Sequence, residues 1–169
     1  DENTRYRAKV NKKVIGNWNY AHLGMTILGV SKNIVNKVLA VANDHNIDIY
    51  YTDTDSIHML QEDVEKLGEL FTKTYDRELI GMGMGQFHTD FQSEKIKGEI
   101  WSRKFICLGK KCYLDILTNV KGEEDYHIRF KGANSKNILA FCKESNITVE
   151  DFYMRLYNGE KIALDICKD

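Results

Sequence analysis

The chain has 169 residues, 43% hydrophobic and 29% charged, with 12 glycines and no proline. That is the size and balance of one ordinary domain, or of a main domain with a small appendage, and it excludes disordered, collagenous and low-complexity chains. The formal net charge of −1 argues against a uniformly basic nucleic-acid coat.

In chain order, the first strong pattern runs from His22 to Asn43. Leu23, Ile27, Val30, Ile34, Val38 and Val41 recur there at the period of an amphipathic helix. Asn43-Asp44-His45-Asn46 is a turn-forming cluster and predicts its end. Ile47, Ile49 and Tyr51 then alternate with Asp48, Tyr50 and Thr52, and a second extended segment leads from Ile57 to Leu60, so a hairpin is expected with Asp53-Thr54-Asp55 at its tip. Glu62 to Leu79 reads as a second helix, with Val64, Leu67, Phe71 and Tyr75 on one face and acidic residues in its first turn.

Gly81-Met82-Gly83-Met84-Gly85 breaks that pattern and reads as a flexible connector, because neither a preceding strand nor a following Lys-Ser/Thr pair supports a phosphate loop. Ile100 to Leu108, Cys112 to Leu117 and Tyr126 to Phe130 read as strands of an antiparallel meander, with a turn at Gly109-Lys110 and a polar loop from Asn119 to Asp125. Two short helices follow, one from Asn134 to Cys142 and one from Val149 to Tyr157, and Asn146-Ile147-Thr148 is expected to be a helix lead-in rather than a glycosylation site. The expected fold class is α+β, an antiparallel sheet with packed helices.

Charge separates along this order. Asp53 to Leu79 holds eight acidic residues against Lys66, Lys73 and Arg77, whereas Lys95 to Lys136 holds ten basic residues against five acidic ones. The second region could accept a polyanion. Cys107, Cys112, Cys142 and Cys167 lack the pairing of a zinc site and the density of a secreted disulfide framework, so reduced thiols in an intracellular protein are expected. The five histidines form no helical i, i+4 zinc pair and read as structural. No uninterrupted apolar run approaches the roughly 20 residues of a membrane span, and no membrane partner is expected. The chain opens at Asp1 without Met, and a fragment of a longer protein is expected.

The segment Tyr51-Thr52-Asp53-Thr54-Asp55-Ser56 bears most directly on chemistry. Two carboxylates two positions apart on a tight turn repel one another unless a hard cation neutralises them. Mg²⁺ suits such a pair, because it takes oxygen ligands and is usually held by one or two carboxylates together with substrate phosphates. Two such ions about 3.5–4 Å apart can clamp the attacking and leaving oxygens of a phosphoryl displacement. An isolated Asp-Thr-Asp is ordinarily just a good turn. The flanking Tyr51 and Ser56, set between two strands after an amphipathic helix, argue for more.

Tyr51 to Ser56 resembles the Y-x-D-T-D-S palm motif of family B DNA polymerases. Asn19 to Lys32 is similar to the palm helix that precedes that motif, especially in the viral and organellar, often protein-primed, branch. Lys111-Cys112-Tyr113 is similar to the family's K-x-Y motif, and Lys131-Gly132 to the passage from palm into thumb. Gly85 to Asp90 also resembles these polymerases but carries no role. The resemblance implies a C-terminal part of the palm over 1–131 and the beginning of the thumb over 132–169. Asp55 would be the principal ligand of the two Mg²⁺ ions, with Mn²⁺ as a substitute, and Asp53 its neighbour.

On the same resemblance, Thr54 and Ser56 would support the turn, and Tyr51 would pack beneath the hairpin. Lys111 would meet a primer phosphate and Tyr113 would place the primer 3′ end. Arg103, Lys104, Lys110, Arg129 and Lys131 would be backbone contacts that position duplex without reading its sequence. The implied partners are primer-template DNA, deoxynucleoside triphosphates and, for the protein-primed branch, a terminal protein. The family's first palm motif and its finger motif have no match in these residues, so the chain alone is expected to be inactive. A noncatalytic nucleic-acid-binding palm relic is the alternative, and a metal-dependent nuclease is a third reading that the K-x-Y and helix matches disfavour.

Overall fold

The structure is a computed structural model and describes residues 20–164. Asn19, at the start of the palm-helix resemblance, the rest of 1–19, and 165–169 with Cys167 lie outside the described residues. The first helix, α1, spans Ala21–Asp44, followed by strands β1 (Ile49–Asp53) and β2 (Ser56–Met59) and helix α2 (Gln61–Tyr75). Strands β3 (Ile100–Gly109), β4 (Cys112–Asn119) and β5 (Glu124–Phe130) come next, then helices α3 (Ser135–Glu144) and α4 (Val149–Tyr157). β1 and β2 form one antiparallel sheet and β3-β4-β5 a second, so the fold class is α+β as expected.

The apolar period of α1 is real, but its two halves do different things. Val35, Val38, Val41 and Ala42 are buried, whereas Leu23, Ile27 and Val30 are more than half exposed. By length and composition α1 could cross a membrane, with a mean hydropathy of 1.2 over its best 18 residues. A search for uninterrupted apolar runs misses this, because Ser31, Lys32 and Asn33 split the stretch. Its C-terminal half is nonetheless built into a core with Ile47, Leu67, Phe71 and Leu79.

α2 ends at Tyr75, four residues before the expected Leu79. Asp76 takes a left-handed conformation (φ +51°) and its N–H returns to the Thr72 carbonyl, which closes the helix and lets Leu79 fold back into the core. The glycine-rich connector is a closed loop. Gly81 N–H donates to the Phe87 carbonyl, Gly83 N–H to Gln86 Oε1, and Arg77 to the carbonyls of Met84 and Gly85. Two of its glycine N–H groups are thus engaged internally, which weighs further against a phosphate cradle.

One residue sets the layering. β1 and β2 pair Ile49 with Met59 and Tyr51 with His58, so Tyr50 is an extra residue at a bulge. Simple alternation would put Ile49 and Tyr51 on one face. The bulge instead sends Ile49, Ile57 and Met59 to the α1/α2 core, and Tyr51 and His58 toward the meander. β4 is buried on both faces. Leu114 and Ile116 join Ile138, Phe152 and Tyr153 in a second core under α3 and α4, while Tyr113 and Asp115 face the hairpin. The order of layers is α1/α2, hairpin, meander, α3/α4.

The meander turns at Lys110-Lys111, one residue later than expected, and the polar loop is shorter, at Val120 to Glu123. Asn134 caps α3 by accepting from Asn137 N–H at 2.8 Å, and Thr148 forms a reciprocal capping box with Asp151 at the start of α4. Asn146-Ile147-Thr148 is therefore a helix lead-in, as expected. Cys107, Cys112 and Cys142 are free thiols.

Candidate metal and nucleic-acid site at the hairpin tip

Asp53 is the last residue of β1 and lies opposite Ser56, so Thr54-Asp55 is a two-residue hairpin turn. Such turns need positive φ. Thr54 supplies it at φ +63°, an unusual position for a β-branched residue that costs of the order of 1–3 kcal/mol. Local hydrogen bonds hold it there. Asp55 N–H and Ser56 Oγ both donate to the Asp53 carbonyl, at 2.8 and 3.1 Å, and Thr54 Oγ1 donates to Asp53 Oδ1 at 3.3 Å. Thr54 and Ser56 both bond to Asp53 within the turn. Asp55 is exposed to solvent, and Asp53 is partly covered.

The second expected motif arrives at the same place. Lys111 Nζ donates to Asp53 Oδ2 at 2.8 Å and to Oδ1 at 3.2 Å across 58 residues of sequence. Lys111 N–H donates to the Tyr51 hydroxyl at 3.0 Å, and the Lys111 carbonyl accepts from Lys131 N–H at 3.0 Å. The hydrogen bond and charge of Lys111 hold the Asp53 carboxyl below its ordinary range, partly offset by burial, while Asp53 raises the lysine. Tyr51 packs against the meander, with its ring centroid 5.0 Å from that of Tyr113.

Tyr113 is 9% exposed, with its ring among those of Tyr51, His58, Phe105 and His127. Its cross-strand partner on β5 is Arg129. Lys110, Arg129 and Lys131 are exposed around the same turn and, among the described residues, form no ion pair. Arg103 and Lys104 point elsewhere. Arg103 pairs with Glu124 at 2.9 Å and approaches Glu150 at 3.9 Å, and Lys104 binds Glu150 of α4 at 2.6 Å. Of the sequence-predicted cations, four gather at the tip and two do not.

Among the described residues no group of three or more His, Cys, Asp or Glu side chains converges on one point. Asp53 and Asp55 provide a two-carboxylate set of hard oxygen donors. That is the complement Mg²⁺ commonly takes from protein when water and phosphate supply the rest, and a cation at Asp53 would have to share its oxygens with Lys111. Sequence reading missed Asp115, His58 and His127, which lie behind the tip between the two sheets. The only local signal was an aspartate flanked by Leu114 and Ile116 in a strand. Comparison with family models, curated proteins and solved structures returned no match.

Proposed function

We propose that this chain is the C-terminal palm and the beginning of the thumb of a family B DNA-directed DNA polymerase, which adds deoxynucleotides to a primer 3′ end. The observation that carries the reading is the meeting of two motifs distant in sequence. The carboxylate tip of Tyr51 to Ser56 and the Lys111-Cys112-Tyr113 turn come together through the Lys111–Asp53 pair and the Tyr51–Lys111 hydrogen bond. Asp53 and Asp55 would hold Mg²⁺, or Mn²⁺ in its place, and the bound ions would stabilise charge on the transferring phosphoryl group. Lys110, Lys111, Arg129 and Lys131 form a basic rim suited to a sugar-phosphate backbone.

The residues' own tasks on this reading are binding and orientation. Tyr51 and Tyr113 fix the tip against the meander, Lys111 shares its charge between Asp53 and a primer phosphate, and the exposed rim cations track the duplex. Arg103 and Lys104, engaged with Glu150, would brace the thumb start rather than touch DNA. The family's other palm aspartate has no match among the 169 residues, so the chain does not polymerise by itself. The Lys111–Asp53 pair also favours a second reading, a noncatalytic nucleic-acid-binding relic whose lysine has replaced a metal.

Asp55→Asn in the longer polymerase separates the two. On the enzymatic reading, primer extension with Mg²⁺ falls by orders of magnitude while duplex binding at fixed salt stays within a few-fold. Near-normal extension by the variant, or no extension by the parent under any divalent ion, sinks the enzymatic assignment.

A further inference from the structure

Behind the tip lies a buried carboxylate that the proposed chemistry does not use. Asp115 is fully buried in the middle of β4. Its Oδ1 accepts from Ser102 Oγ at 2.7 Å, and its Oδ2 has no hydrogen-bond partner. His58 Nδ1 of the hairpin stands 3.9 Å from Oδ1, too far for a hydrogen bond but within reach after a shift of about 1 Å. The His58 ring lies against Phe105 at 4.6 Å and Tyr113 at 5.3 Å, so the imidazole is held over the carboxylate by aromatic walls.

An ionised carboxylate with an empty oxygen in such a place is costly unless a proton reaches the site. From every packed element the facing groups can be named. β1 offers Tyr51 and β2 His58; β3 offers Ser102 and Phe105. β4 adds Tyr113, β5 adds His127 and Arg129, and Asp90 acts on His127 from the segment before β3. His58 is the hairpin's only imidazole, and it is the cross-strand partner of Tyr51, whose hydroxyl holds Lys111 against Asp53.

We infer that Asp115 is a positioning residue that shares one proton with His58, and that this proton draws the hairpin onto the meander and so sets the seat of the Asp53/Asp55 tip. With the proton on His58, an imidazolium faces a carboxylate across the seam; with it on Asp115, a neutral acid faces a neutral imidazole. The two forms hold the same atoms and net charge. Loss of the proton to solvent leaves the carboxylate unmatched, and the hairpin loosens. Burial pushes the Asp115 carboxyl up and the His58 imidazole down, which narrows the gap between their proton affinities. The bearing of this seam on catalysis rests on the polymerase reading; the seam itself does not.

The test is a pH titration of the full 169-residue chain by NMR, following the His58 and His127 rings, the Asp115 carboxyl and the amides of Thr54, Asp55 and Lys111. In the parent protein the tip amides are expected to show a step at the His58 midpoint, besides any step from Asp53. In Asp115→Asn the His58 midpoint drops by about one pH unit, and the His58-linked step at the tip disappears. An unmoved His58 midpoint, or a tip step that survives the substitution, overturns the inference. Should Asp115→Asn fail to fold, Ser102→Ala serves instead. It removes a hydrogen bond that favours the carboxylate, so the joint midpoint and the tip step must rise together, and a tip step that stays behind overturns the inference equally. Neither metal nor DNA is present in this experiment, so the polymerase reading can fail while the inference stands, and the converse.

Discussion

Three restraints converge on Lys111. The β3–β4 turn needs a residue at positive φ, and Lys111 takes it at +60° while its N–H, its carbonyl and its ammonium are bound by Tyr51, Lys131 and Asp53 respectively. The backbone bonds fix where the side chain starts, and the ammonium then lowers the proton affinity of Asp53 through its hydrogen bond and its charge. Because the folded value lies below 3.8, the pair stabilises the fold above that pH, and the stabilisation is lost as pH falls through the folded value. Lys111→Ala is therefore expected to raise the Asp53 midpoint toward 3.8, read by carboxyl NMR. Its stability deficit in urea should be present near neutral pH and vanish in strong acid. A deficit that persists in acid would mean that the left-handed turn, and not the ion pair, was what the substitution disturbed.

At the scale of elements, α4 shows how much a short helix owes to its first turn. Val149, Phe152 and Tyr153 bury one face against β3 and β4, and the Thr148–Asp151 box satisfies N–H groups that nine residues of helix would otherwise leave open. Thr148→Ala should cost about 1 kcal/mol in urea denaturation, with the two-state slope unchanged; a cost near zero would mean that packing alone holds the start of α4. This helix was legible in the sequence because both its cap and its period are local. The Asp-Thr-Asp tip was legible for the same reason, since a two-residue turn between alternating strands needs no distant partner to declare itself. What depended on partners was not. α1 has one apolar stripe, yet only its C-terminal half meets α2 and the hairpin. The bulge at Tyr50 reverses the alternation seen in sequence, because Tyr51 is wanted under the meander. Asp115 stands out in sequence only as one acidic residue within a strand, and its burial depends on the packing of the hairpin, some 57 residues earlier.

Across the whole molecule, two apolar cores flank a seam of aromatic, imidazole and carboxylate groups, so the response to pH is concentrated where the two halves meet. Burial lowers His58 and His127 below 6.5, with Arg129 lowering His127 further, while burial raises Asp115 above 3.8. The signs oppose. A depressed imidazole contributes stability above 6.5 that is lost as pH falls through its folded value, whereas the raised carboxyl burdens the fold at neutral pH and is relieved as acid protonates it. Within the His58–Asp115 pair the two directions oppose, whereas His127 is depressed, so His127 is the group whose protonation costs the fold stability on mild acidification. His127 is the cleaner probe, because it lies across β4–β5 from Asp115 without facing the hairpin's imidazole directly in a pair. In urea denaturation at about pH 7.5 and about pH 5.5, His127→Gln should lose less stability between the two conditions than the parent protein does. Equal losses would mean that His127 contributes nothing to the acid sensitivity, and a larger loss in the variant would show that His127 gains its proton more readily in the folded seam than in the unfolded chain.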